Sequence, residues 1–222
     1  MSPIAGDITR PVKGFVTKNV GLTLPSNEET IVTVTNLTTQ QIRALSTTAI
    51  AALTSTDIGG MVSTQLGALS SAQAAALTSS DVAALTSSTL PGLSTAGIGA
   101  LDSTDIVALG TNITNLTAVQ FAALSTTAIA AITTTQTPTL GTAEVLAMTS
   151  TQLAALTLAD VAVLTSTQIQ ALSVNEIQAL TTDQIGAFTT TQLGYFTTNE
   201  VAAFTTTQIQ SMTGAEVNAL FH

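Results

Sequence analysis

Between Leu37 and Leu220 the chain repeats one eight-residue phrase twenty-three times, plainest near the end as Leu180-TTDQIGA, Phe188-TTTQLGY, Phe196-TTNEVAA and Phe204-TTTQIQS. Self-similarity at a short fixed period marks a solenoid or array, in which each unit completes its burial only against its neighbours. A period of eight restricts the geometry further. A β-strand would place Leu180 with Thr182 and Gln184 on one face and Ile185 with Ala187 on the other, scattering the large apolar groups. One continuous helix fails as well, because eight residues at about 100° each leave the apolar stripe drifting by about 80° per repeat. No fixed face would remain to bury.

A separate short helix in each unit removes both difficulties. Thr181 stands where an N-cap is needed, and Gln184 sits at the third helical position, able to return the second hydrogen bond of a capping box. Leu180 and Ile185 then form the hydrophobic staple across the cap. The same grammar reads through Thr197, Glu200 and Val201 in the unit opened by Phe196. The helices predicted this way run only about five or six residues, far below the ~12 needed for stability in isolation, so coils must stack. The small last residue of the unit, as in Ala179, Ala187 and Ala203, permits close approach. The fold class expected is therefore mainly α, a solenoid of very short capped helices over residues 37–222. The number of helices per coil stays open, since Asp57, Asp81 and Asp105 recur every third repeat but Glu144, Asp160 and Glu176 every second.

Residues 1–36 differ in kind. They hold three of the five prolines and two β-like runs, Gly14-FVTKNVGLTL and Thr30-IVTVT, around a turn-rich Pro25-SNEE. A small β-rich cap or assembly arm is expected there. Two places interrupt the repeats: Leu109-GTNITN reaches Leu116 in seven residues, and Ile132-TTTQTPT puts Thr137 at the staple place with Pro138 after it. Pro91-Gly92 is a milder third break. Bends or loops of low stability are predicted at these sites.

Charge is partitioned along the chain. All four basic residues, Arg10, Lys13, Lys18 and Arg43, precede residue 44, and the remaining 179 residues carry ten acids and no Lys or Arg. Such opposite ends favour contact head to tail between copies, and so acidic a body argues against nucleic acid as a partner. The last apolar residues, Leu220 and Phe221, are candidates for the other half of that contact. Charged residues make up 8% of the chain, against about a quarter in average domains; hydroxyls and amides must wet most of the surface. No apolar run approaches the ~18 residues of a membrane span, and the start MSPIAGDITRPVKG lacks the apolar core of a cleaved secretory signal.

Catalytic chemistry is poorly supplied. The single His is His222 and there is no Cys, so nucleophile–histidine pairs and histidine or thiolate metal sites are not expected. Eight of the ten later acids (Asp57, Asp81, Asp105, Glu144, Asp160, Glu176, Glu200 and Glu216) occupy the box place, where the cap and helix dipole explain them. Calcium spacing of the EF-hand or β-roll kind is absent. Neither enzymatic activity nor a cofactor is expected.

The phrase Leu164-TSTQIQAL, with Leu180-TTDQIGAF, resembles octapeptide tandem repeats in large secreted or surface proteins of Gram-negative bacteria, of the adhesin-like and RTX-like kind. The resemblance covers residues 37–220 and implies an extracellular or cell-surface scaffold, exported without an N-terminal signal, with a cytoplasmic location as the alternative. The function expected is that of a structural subunit polymerising head to tail into a filament or surface layer. The alternative is a monomeric binding module for ice or glycan that uses the exposed Thr rows.

Overall fold

The computed structural model describes residues 34–221. Arg10, Lys13, Lys18 and most of the expected β-rich segment lie outside that range. Val34–Asn36, which takes in the last two residues of the second β-like run, forms a single 3-10 turn, with Val34 buried at the staple place of a unit that precedes Leu37. From there the described chain is a succession of twenty α-helices of four to seven residues, with four 3-10 turns and no strand among the described residues.

Each helix begins and ends as the local chemistry dictates. In the helix Thr182–Ala187, Thr181 is extended (φ −73°, ψ 159°) and its hydroxyl accepts the Gln184 backbone N–H at 3.1 Å. Gln184 Oε1 in turn accepts the Thr181 N–H at 3.0 Å, so two of the helix's orphan donors are satisfied reciprocally. Phe188, at the far end, is extended again (φ −66°, ψ 135°). Two extended residues, the large apolar one and the cap, therefore turn the corner between successive helices.

Three helices close one coil. Thr182–Ala187 packs against Leu158–Val161 on one side and Thr206–Ser211 on the other, each 24 residues away in the chain. The same spacing pairs Thr190–Leu193 with Gly214–Leu220 and Thr142–Ala147 with Ser166–Ile169. Phe188, Phe196 and Phe204 open three consecutive units, and their rings meet edge to face at 5.6 and 5.0 Å. The corner residues of one coil thus converge inside a triangular cross-section. Twenty consecutive staple residues, from Ile42 to Leu193, are essentially sealed from solvent, and with the corner residues they form one continuous core along the axis. Only in the last units do Val201, Ile209, Met212 and Val217 become half-buried.

The expected bends are absorbed instead. At the seven-residue unit, Ser103–Leu109 extends to seven residues and Gly110 takes φ 52°, the one positive-φ glycine among the described residues, before a 3-10 turn Gly110–Asn115 restores the phase. Glycine reaches that region without the steric cost other residues meet. At the second interruption Thr137 is fully buried in the 3-10 turn Thr137–Thr139. Its Oγ1 lies 3.0 Å from Asp160 Oδ1 in the next coil and 3.1 Å from the Thr133 carbonyl. A polar staple is tolerated there because the adjacent coil supplies an acceptor.

Candidate functional site in the seams between coils

The box residue has a second task that its local role conceals. Gln184 uses Oε1 on its own cap, while its Nε2 donates across the coil boundary to the carbonyls of Leu153 and Leu156, both at 2.9 Å. Gln73, Gln168, Gln192 and Gln208 repeat the pattern, donating 31 and 28 residues back at 2.7 to 3.0 Å. Gln65, Gln120, Gln136 and Gln152 make equivalent bonds. In the shortened unit Asn112 does the work with Nδ2 on the Leu85 carbonyl at 3.1 Å. These amides are the transverse stitches of the solenoid.

Because a coil contains three units, the stitches fall into three seams. The first contains Gln65, Asn112, Gln136, Gln184 and Gln208, and the second Gln73, Gln120, Gln168 and Gln192. In the third, Gln152 is stitched, but its column otherwise runs Asp57, Asp81, Asp105, Ala128, Glu176 and Glu200. All eight acids at box places accept the backbone N–H of their own cap residue. They close their helices, but a carboxylate brings no hydrogen to a carbonyl in the next coil. The molecule therefore has two mainly amide seams, the first interrupted by Asp160 and the second by Glu144 and Glu216, and a third in which acids predominate.

Charge accumulates along the third. Asp81 and Asp105 are both buried at successive coils. Burial pushes the Asp105 carboxyl above the usual carboxylate range and the nearby charges of Asp102 and Asp81 add to the rise, against a lowering contribution from the Asp102 backbone N–H. Asp102, the exposed cap of the same helix, moves the other way. The Thr104 hydroxyl and the Asp105 backbone N–H hold it below its ordinary value, offsetting a smaller effect of desolvation.

Arg43 ends the first α-helix, Thr39–Arg43, and is exposed. At the other extremity Leu220 is buried and Phe221 is 59% exposed, so the structure places Arg43 and this pair in the first and last described coils and does not bring them together within one molecule. Among the described residues no three His, Asp or Glu side chains gather where a metal ion would be held. A shallow depression between coils is lined by Ser63, Thr64, Gly67, Ser88, Pro91 and Gly92. No described helix is long and apolar enough to cross a membrane.

The geometry defines a class first: a repeat protein built as an α-helical solenoid with three short capped helices per coil. Segments 50–87, 75–111 and 161–198 match the family model of the ALTTAQ repeat. Ala179-Leu180-Thr181-Thr182-Asp183-Gln184 spells that phrase with one change, and its letters are the small residue, corner, cap and box of the unit described above. No curated protein and no solved structure matches the chain.

Proposed function

We propose that the chain is a structural subunit that assembles head to tail into a filament or surface layer outside the cell, in keeping with its resemblance to adhesin-like and RTX-like repeats. The directional seam carries this reading. Every stitched coil offers amide donors toward the N-terminal side and backbone carbonyl acceptors toward the C-terminal side, so two such bodies complement each other in one sense only. The charge partition supports the same polarity, with Arg10, Lys13, Lys18 and Arg43 at one end and ten acids beyond them. This is the heterologous contact that generates filaments when its rotation does not close into a ring.

The test compares the full chain with a version starting at Val34, which keeps the carbonyls of Val34, Thr35 and Leu37 that receive Gln65. Electron microscopy and sedimentation should show ordered polymers of the full chain and dispersed monomers of the shorter one. Polymers of normal length from the shorter chain would refute docking through the basic segment. Thermal hysteresis or glycan capture by a preparation that stays monomeric would favour a binding module instead.

A further inference from the structure

Glu176 fills in the acidic seam the place that Gln184, Gln192 and Gln208 fill in the other two. Its Oε2 accepts the Ser173 backbone N–H at 2.6 Å, as Gln184 Oε1 accepts that of Thr181. The second oxygen, Oε1, therefore stands where a glutamine holds its amide nitrogen. In the regular coils that nitrogen donates to the carbonyls 31 and 28 residues earlier, which for residue 176 are those of Val145 and Met148. Glu176 is 5% exposed, and Oε1 is buried without a hydrogen-bond partner. The register sets this oxygen against two acceptors with no hydrogen among them, and an unsatisfied buried polar atom is costly.

No side chain among the described residues supplies the missing donor. The helix packed behind, Ser150–Leu153, has no titratable residue. The surrounding helices carry Glu144, Asp160, Asp183 and Glu200, and Ser166–Ile169 carries none. Among the described residues Arg43 is the only Lys, Arg or His, and it ends the first α-helix, so no described ammonium or guanidinium stands beside Glu176. The smallest species that repairs the contact is a proton from solvent.

We propose that Glu176 is a proton latch: with a proton on Oε1 it becomes a donor to the carbonyl of Val145 or Met148 and stitches the acidic seam as glutamine stitches the others. Acidification then closes the joint between these two coils, and neutral pH leaves it open. Glu144, Glu200 and Glu216 hold the equivalent box place and accept their cap N–H in the same way, but all three are half-buried, so the latch is confined to Glu176.

The full chain and Glu176→Gln are unfolded in urea from pH 8 to pH 4, with Asp183→Asn, an exposed acid outside any seam, as the control. E176Q carries a permanent amide donor. At pH 8 its unfolding constant should be about tenfold smaller than that of the parent chain, the scale of one buried hydrogen bond. This advantage should vanish towards pH 4, whereas D183N should show no such convergence. An E176Q advantage that is the same at every pH, or absent at every pH, overturns the latch.

Discussion

Replacing Gln184 with Ala isolates the stitch from the cap. The side chain makes one bond within its own unit, to the Thr181 N–H at 3.0 Å, and two across the seam, to Leu153 and Leu156 at 2.9 Å. At about 1 kcal/mol net for each hydrogen bond, Q184A should cost about 3 kcal/mol. Thr181→Ala removes the cap acceptor of the same helix, which Gln184 N–H uses at 3.1 Å, and should cost about 1 kcal/mol. Urea unfolding followed by circular dichroism and by the fluorescence of Tyr195, the one Tyr in a chain without Trp, reports whole-chain and local melting together. Coincidence of the two curves licenses a two-state free energy, which repeat arrays do not always provide. A Q184A loss no larger than that of T181A would refute the stitch and reduce Gln184 to a box residue.

Other perturbations test neighbouring parts of the argument. Thr137→Val deprives Asp160 of its buried hydroxyl contact and should cost about 1 to 3 kcal/mol, while T137V combined with Asp160→Gln should recover much of that loss; strict additivity in a double-mutant cycle would contradict the coupling. The raised value of Asp105 means that its neutral form favours the fold, a contribution complete below the ordinary carboxylate value and lost as pH rises through the folded one. Asp105→Asn should therefore raise the thermal midpoint at pH 7 and change it little at pH 3. Asp102, held low, contributes above its ordinary value and loses that contribution on acidification, so Asp102→Asn should lower the midpoint at pH 7. A Cβ on Gly67 would stand 2.8 Å from the Gly92 carbonyl of the next coil, whereas one on Gly186 meets nothing within 4 Å. Melting curves should show Gly67→Ala destabilising and Gly186→Ala stabilising by about 0.5 to 1 kcal/mol.

The local grammar was legible because its signals lie within five residues: Thr181, Gln184 and Ile185 specify cap, box and staple without reference to anything distant. The size of the coil was not. Glu144, Asp160 and Glu176 sit at a spacing of sixteen because each closes only its own helix, and a local bond carries no information about what lies one coil away. Asp57, Asp81 and Asp105 share a seam, but nothing in the chain alone distinguishes their spacing from the other. The stitching role of Gln184 was hidden for a related reason, since the box already accounted for a Gln there. The preference for amide over acid was the available signal: a box closes equally well with Glu, and ten Gln at box places mark a further demand for a hydrogen donor. Thr137 misled in the opposite sense. A hydroxyl at a staple place looks like a defect until Asp160, 23 residues on, is seen beside it.

The three-helix coil also acts as a ruler for how such a gene can grow. Inserting or removing three phrases together, 24 codons, returns every later residue to its former edge of the prism and leaves both kinds of seam intact. One phrase alone would rotate everything downstream by a third of a turn, setting carboxylates opposite positions that had faced amides. The unit at Leu109 that is one residue short causes no such shuffle, because its place in the cycle of three is kept while Gly110 takes up the slack. Length in this molecule is thus adjustable in steps of a whole turn, and single residues can be lost wherever a glycine can bend, but the order of the three edges is conserved.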